Sequence, residues 1–153
     1  MAECCHFFDL FSYLIGESGP TLQVTCAGIN GASTVARDNL VATAKYRDGS
    51  VATLTYSALG NRSLERERVE IFGAKNAFVL DDFKTLRVFA PTGTRSYGGG
   101  RTDKGHRAEL MELAKMTRGE PNAIISFKDA VASMRTTFEA EGIARAALPA
   151  DDR

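Results

Sequence analysis

Residues 40–56 have the sequence LVATAKYRDGSVATLTY, and this stretch determines the predicted fold. Two runs rich in β-branched and aromatic residues, 40–46 and 51–56, flank the Arg-Asp-Gly-Ser segment at 47–50. Runs of this composition favour strands, and Asp-Gly between them favours a type I′ turn, in which both central residues have positive φ. We therefore predict an antiparallel hairpin.

Further strand patterns lie on both sides of the hairpin. Residues 21–29 alternate in polarity before it, and strand-like runs follow it at 68–73, 76–80 and 85–89. Short connections between consecutive strands are typical of antiparallel meanders or mixed open sheets. The sequence predicts one open, largely antiparallel or mixed sheet of five to six strands.

Apolar residues at helical spacing lie on either side of this strand region. Residues 6–16 form the first such segment, a second begins at His106, and a long one spans 127–147 with Ser126 as a candidate N-cap. The order differs from the βαβ alternation of nucleotide-binding folds. We predict a single α+β domain over residues 1–153, with one N-terminal and two C-terminal helices packed on one face of the sheet.

Charge and composition restrict the function. Nineteen basic residues balance nineteen acidic ones, whereas nucleic-acid-binding domains usually have a basic excess, so no nucleic-acid partner is expected. No apolar run approaches the ~20 residues that span a bilayer, and the first residues lack the features of a signal peptide. Three cysteines without a disulfide framework suit a reducing compartment. We predict a cytoplasmic protein without a membrane partner.

Two features resemble ligand sites but have ordinary explanations as well. The glycines at 98–100 lie in a predicted loop, 91–104, and not between a strand and a helix as a dinucleotide fingerprint requires. They favour a mobile loop, with a loop that orders over a substrate as the alternative. Cys4, Cys5 and His6 have no second pair of ligands at zinc-site spacing. We predict no metal, and a thiol or metal site is the weakest hypothesis.

Two histidine-containing segments are candidate sites. His6 falls in the first turn of the first helix, where the helix dipole and burial favour the neutral imidazole, which accepts a proton. A purely structural histidine is the equal alternative. Asp103, Lys104 and His106 surround the start of a later helix. They form either a helix start capped by Asp103 or Thr102, or a cationic site for an anionic or hydroxylated substrate.

These segments, taken in order, resemble the C-terminal domain of Gfo/Idh/MocA-type oxidoreductases. The residues that carry the resemblance are Glu3-Cys-Cys-His6 before an apolar helix, the Asp-Gly hairpin, Arg-Val-Glu-Ile-Phe-Gly at 68–73, Asp103-Lys-Gly-His106 with Glu109, and Gly-Glu-Pro at 119–121. The similarity extends over residues 3–147. No single motif is specific, and the order and spacing of all five carry the comparison.

The resemblance implies the substrate-side domain of an NAD(P)-dependent oxidoreductase that acts on a hydroxyl of a sugar, cyclitol or related small molecule. His6 would be its general acid/base, and Glu3 would replace the family's aspartate, which is missing here. Asp103, Lys104 and His106 would contact the substrate. NAD or NADP would be bound by an N-terminal Rossmann domain that this sequence lacks. We therefore expect this chain alone to bind no cofactor and to be inactive.

Two expectations concern partners. The first helix begins within a few residues of Met1, as in a chain cut at a domain boundary, so the expected partner is the missing Rossmann domain. The Ala- and Thr-rich hairpin strands predict a flat sheet face through which the chain forms a dimer or tetramer. The alternative function is a non-catalytic binding or assembly module that oligomerises through its sheet, with His6 purely structural.

Overall fold

The structure, a computed structural model, describes residues 4–16, 19–26, 39–61 and 63–147. The helices and strands in these ranges are α1 (Cys5–Ile15), β1 (Thr21–Cys26), β2 (Asn39–Lys45), β3 (Val51–Ser57), β4 (Arg68–Gly73), β5 (Asn76–Asp81), β6 (Thr85–Ala90), β7 (Gly93–Gly98), α2 (His106–Thr117) and α3 (Phe127–Ala147). The predicted α+β class, with one helix before the strands and two after them, is confirmed.

The chain divides into two compact units. The first unit comprises residues 1–59 and 125–153, and the second comprises residues 60–124. The first contains the sheet β1-β2-β3, and the second contains the sheet β4-β5-β6-β7, each antiparallel throughout. The assignment of residues 1–153 to a single domain stays a prediction.

The number of strands and their division differ from the expectation of one sheet with five to six strands. The described residues contain seven strands in two sheets. The sequence patterns that indicate strands are local. They predict each hairpin, but they do not show whether the strand after the polar connection at 58–67 pairs with the strand before it. The extra strand, β7, lies in the predicted loop 91–104. Its sequence, GTRSYG, has no apolar alternation, and pairing with β6 makes it a strand.

The predicted hairpin is confirmed, and its turn differs from type I′. Gly49 has a φ of 90°, whereas Asp48 is not among the residues with positive φ. The N–H of Gly49 donates to the carbonyl of Tyr46 (3.1 Å) and the N–H of Tyr46 to the carbonyl of Ser50 (2.9 Å), which makes a three-residue connection with a bulge at Gly49. The Asp48 carboxylate accepts hydrogen bonds from the backbone and hydroxyl of Ser50, both 2.8 Å, and these stabilise the observed turn.

The core of the first unit lies between the sheet and the helices α1 and α3. Phe8 from α1 is 1% exposed, and Ala140 from α3 is fully buried. The core residues are Cys4, Phe8, Leu22, Leu40, Ala42, Ala44, Tyr46, Leu54, Ala140 and Ala144. The small side chains of β2 and α3 permit close approach of helix and sheet, which interiors at crystal-like density require.

The burial of β2 shows how the alanines and threonines of the hairpin are distributed between the two faces of the sheet. Successive side chains of a strand point to opposite faces, so the hairpin's alanines and threonines separate. Ala42 and Ala44 lie beneath the helices, whereas Thr53 and Thr55 are exposed. The face opposite the helices therefore carries Thr53 and Thr55 together with the exposed Val41 and Val51. Association of the chain through its sheet stays a prediction.

Polar contacts fix the two helices of the first unit. The hydroxyl of Ser133 on α3 donates to Oδ1 of Asp9 on α1 at 2.8 Å. Ser126 is confirmed as the N-cap of α3, because its Oγ accepts the backbone N–H of Asp129 at 3.1 Å. The same hydroxyl donates to the Asp129 carboxylate at 2.6 Å.

α2 belongs to the second unit and buries no side chain. No helix in the described ranges is long and apolar enough to cross a membrane.

Two tight turns of the second sheet hold non-glycine residues in the left-handed region. Ala74 and Lys75 between β4 and β5 have φ of 48° and 63°, and Asp82 and Phe83 between β5 and β6 have 49° and 51°. This region costs an L-residue ~1–2 kcal/mol. The hairpin pairing on either side therefore imposes a conformation that these residues do not favour by themselves.

Candidate functional site

His6 occupies the second position of α1 and is exposed. The burial that its position in the first turn suggests is therefore wrong. Its ring lies 4.2 Å from that of Phe7, centroid to centroid, and the imidazole makes no hydrogen bond or ion pair with the described residues. An imidazole placed in this way is free to accept a proton from a molecule that approaches α1. Glu3, its predicted partner, lies outside the described residues.

The exposed side of α1 around His6 is apolar. Tyr13, two turns further along the same face, is 80% exposed, and Leu14 beside it is also exposed. Phe8 and Cys4 point the other way, into the core. A helix that is apolar on both sides is typical of an element covered on both sides, so the His6 side of α1 has the character of a contact surface.

Asp103 and Lys104, predicted to contact a substrate, have partners within the second unit. Oδ1 of Asp103 accepts the N–H of Gly105 at 2.9 Å. Nζ of Lys104 forms an ion pair with Glu67 at 2.7 Å. This pair neutralises the cation expected at the start of α2, so an anionic substrate would have to compete with Glu67.

The start of α2 differs from the predicted cap. Gly105, with a φ of 78°, is the N-cap residue, and no side chain caps the helix. Asp103 bonds the N–H of Gly105, one residue before the helix, and Thr102 donates to Asp82. His106, the first helical residue, is exposed and makes no polar contact with the described residues. It is the one of the three predicted substrate contacts in this segment without an intramolecular partner.

A cluster of charges around the β5–β6 turn was not predicted. The Asp82 carboxylate accepts from Lys84 Nζ at 2.8 Å and from the Thr102 hydroxyl at 3.0 Å. These bonds, the one from Lys84 first, lower the pKa of Asp82 below its usual value. The backbone N–H of Asp82 donates to the carbonyl of Glu67 at 2.7 Å, and Lys84 also pairs with Glu65 at 3.1 Å. We call these five residues the turn cluster; their mutual contacts indicate a structural role.

The turn cluster continues into the glycine run at 98–100. A Cβ on Gly98 would lie 2.2 Å from the carbonyl oxygen of Lys84, and Gly98 has a φ of 84°. The N–H of Gly99 donates to that same carbonyl at 2.9 Å. Gly98 thus ends β7, and its lack of a side chain permits the close approach of the Lys84 carbonyl. At this position an ordered backbone contact replaces the predicted mobile loop.

The described residues offer no group of three or more His, Cys, Asp or Glu side chains placed to hold a metal ion. Cys4 is buried and Cys5 half-buried. Every strand pair in the described ranges is antiparallel, so this part of the chain contains no βαβ unit. It does not fit a dinucleotide cofactor of the kind that binds at such units.

Comparison with known proteins finds similarity in structure. The sequence matches no family model and no curated protein sequence. UDP-N-acetylglucosamine 3-dehydrogenase GnnA from Acidithiobacillus ferrooxidans superposes with a TM-score of 0.76 at 19% identity, over 95% of this chain and 46% of that protein. Aldose-aldose oxidoreductase from Caulobacter crescentus, in complex with glycerol, gives 0.73 at 15% identity, over 94% and 44%.

A third similar structure is the WlbA dehydrogenase from Bordetella pertussis in complex with NADH and UDP-GlcNAcA, with a TM-score of 0.58 at 15% identity over 95% of this chain and 42% of that one. The chain therefore spans less than half the length of these oxidoreductases. At these identities the likeness shows a shared fold.

Proposed function

We propose that this chain is the substrate-side domain of an NAD(P)-dependent oxidoreductase of the Gfo/Idh/MocA type. Its substrate would be a small molecule oxidised at a hydroxyl group, such as a sugar or cyclitol. The observation that carries the proposal is the match of 95% of this chain to only 46% of a sugar-nucleotide dehydrogenase. A second polypeptide segment, equivalent to the unmatched part of such enzymes, would supply the cofactor site.

His6 is the residue of this chain proposed to act in the chemistry. Oxidation of an alcohol removes a hydride from carbon and a proton from oxygen. The nicotinamide cofactor, held elsewhere in the complete enzyme, supplies the hydride acceptor. His6 would take the hydroxyl proton, a role that typically contributes ~10²–10⁴-fold to rate. Its exposed position on α1 supports this role, because a buried imidazole would not reach a substrate.

The remaining assignments follow from the resemblance. Glu3 would orient or relay protons to His6, and His106 would contact the substrate together with Asp103 and Lys104. The partners of Asp103 and Lys104 within the second unit favour His106 as the most available of these three. Localisation in the cytoplasm and association with further copies of the chain are also proposals.

The first experiment is a ligand titration followed by NMR. The chain has two histidines, so the imidazole signals can be assigned with His6→Gln and His106→Gln. UDP-N-acetylglucosamine, glucose and myo-inositol are added separately to the chain. We expect at least one of them to shift the His6 signals saturably, and His6→Gln to weaken its binding. If none of the three moves the His6 signals, the proposed substrate role is wrong.

A second experiment concerns the cofactor. The purified chain is mixed with the same three compounds and NAD⁺ or NADP⁺, and absorbance at the reduced-nicotinamide band is followed. We expect no reduction, because the proposal assigns the dinucleotide site to the part of such enzymes that this chain does not match. Turnover by the chain alone would contradict the assignment of the cofactor site to another polypeptide segment.

One observation favours the alternative function, a non-catalytic assembly module. Large apolar side chains on the strands of the second sheet are exposed, among them Ile71, Phe72 and Tyr97. In that case His6 would be structural, and neither histidine would respond to the three ligands.

A further inference from the structure

Asp48-Gly49 is the one Asp-Gly pair in the sequence. Aspartate followed by glycine isomerises more readily than aspartate before other residues, because glycine has no Cβ to shield its backbone nitrogen. The pair lies at the turn between β2 and β3, and both residues are exposed to water. The turn is therefore a candidate site of covalent modification.

Isomerisation of aspartate has two steps and needs only water. The backbone nitrogen of Gly49 forms a bond with Cγ of Asp48. The amide proton and the hydroxyl of the protonated carboxyl group leave together as water, and a succinimide ring closes. Water then opens the ring. When it adds at the main-chain carbonyl of Asp48, the backbone afterwards runs through the side-chain carbonyl, as isoaspartate. No atom is gained or lost overall.

Two hydrogen bonds from Ser50 hold the Asp48 carboxylate away from this reaction. The backbone N–H of Ser50 donates to Oδ1 and its hydroxyl donates to Oδ2, both at 2.8 Å. Such bonds favour the ionised form of the acid, and they lower the pKa of Asp48, the backbone bond first. An ionised carboxylate has no hydroxyl to release as water, and both of its oxygens are already bound to Ser50.

The nitrogen that would attack is held as well. The N–H of Gly49 donates to the carbonyl of Tyr46 at 3.1 Å, and the N–H of Tyr46 donates to the carbonyl of Ser50 at 2.9 Å. Attack requires the Gly49 amide to turn toward the carboxyl carbon and to lose its proton, which breaks the first of these bonds. Pairing of Lys45 with Val51 begins directly beside the turn. The hairpin therefore restricts the rotation that ring closure needs.

We propose that Asp48 is the isomerisation site of this chain, and that Ser50 confines the reaction to molecules in which the turn has opened. Isoaspartate adds one backbone atom to a connection of three residues. The pair next to the turn includes Ala44 and Ala52 in register, and Ala44 belongs to the core. A shifted register would remove Ala44 from the core, so the isomerised chain should be less stable. This inference does not depend on the oxidoreductase proposal.

The test measures isomerisation in the folded and the unfolded chain. The full chain is kept at about pH 5, where a minor fraction of an unperturbed aspartate is protonated, in buffer and in concentrated urea. Digestion, chromatography and electron-transfer fragmentation locate isoaspartate, which leaves the mass of a peptide unchanged. We expect isoaspartate at Asp48 in urea. Its formation in buffer should be at least ~20-fold slower, which corresponds to two typical hydrogen bonds.

Ser50→Ala and Ser50→Thr are matched variants, since alanine lacks the hydroxyl and threonine keeps it. Each rate in buffer is divided by the rate of the same variant in urea, which removes any effect of the substitution on the chemistry itself. Ser50→Ala should lose about fivefold of the protection, which corresponds to one hydrogen bond. Ser50→Thr should keep most of it. Circular dichroism shows whether the strands of each variant are intact.

Three outcomes overturn the inference. They are equal rates for the natural chain in buffer and in urea, no isoaspartate at Asp48 in urea, and full protection in Ser50→Ala. If Ser50→Ala loses its strands, the natural chain and Ser50→Thr decide the result, since both must be protected in buffer. None of these outcomes bears on His6, so failure here is separate from failure of the proposed function.

Discussion

The two units of this chain are built from the same elements and differ in what covers them. Each has antiparallel strands, but within the described residues two helices pack on the sheet of the first unit alone. In the first, Phe8 and Ala140 complete a core; in the second, Val79 is 8% exposed and no side chain of α2 is buried. Strand pairing therefore determines local geometry in both, whereas burial depends on a second layer.

The largest effect should come from removing the best-buried side chain in each unit. Phe8→Ala should lower the free energy of unfolding by about 3–5 kcal/mol, because it leaves a cavity in a closed core. Val79→Ala should cost about 1–2 kcal/mol, because fewer atoms are removed and its surroundings are thinner. Urea denaturation followed by circular dichroism measures both. Equal losses would show that the second unit is as well packed as the first.

A smaller loss of unfolding free energy should distinguish two reasons for glycine in the second unit: close approach of another backbone segment, and a positive φ. Gly98→Ala would place a methyl group against the Lys84 carbonyl oxygen, 2.2 Å away, at a φ of 84°. We expect a loss of about 2–4 kcal/mol, since backbone must move. Gly99→Ala is the matched control, with a φ of 109° and open space around the new Cβ, and should cost about 1–2 kcal/mol. Similar values for the two would mean that β7 shifts freely.

The smallest expected effect is the stability that the turn cluster loses at acidic pH. Hydrogen bonds from Lys84 and Thr102 lower the pKa of Asp82 from 3.8. The ionised form is thus favoured in the folded state, and its stabilising contribution is present above pH 3.8 and is lost as the pH falls through the lower folded value. Asp82→Asn should abolish this part of the pH dependence. The backbone N–H of Asp103 donates to the carbonyl of Phe83 in this turn at 3.2 Å. Its hydrogen exchange, measured from pH 5 downward, therefore reports the effect, and an unchanged profile in the variant would contradict the assignment.

Elements with strong local signals were predictable from the sequence. The hairpin at 40–56, α1 and the cap at Ser126 depend on residues close in sequence. The division into two sheets and the strand β7 were not predictable, because both depend on pairing. The positive φ values of Ala74 and Phe83 have the same origin: no glycine occupies the two central positions of either turn, and the adjoining strands impose the conformation.

The candidate site was predictable to a smaller extent. His6 was found because a histidine in the first turn of an apolar helix is unusual, but its exposure depends on how α1 packs. The contact of Lys104 with Glu67 was missed, since the two residues are 37 positions apart. The bond between Asp82 and Thr102 crosses 20 positions and was missed as well. Long-range polar contacts of this kind leave no periodic signal in a sequence.

The hydrogen bond between Asp9 and Ser133 joins residues 124 positions apart, with the whole second unit in the intervening chain. Its formation closes a long loop, and contacts of that separation form slowly. During synthesis, β1, β2 and β3 leave the ribosome well before α3 does. Until α3 arrives, α1 alone can cover the alanine side of that sheet, and the part left exposed is prone to aggregation. Because α3 is translated after the three strands, its packing ends the period in which that surface is exposed.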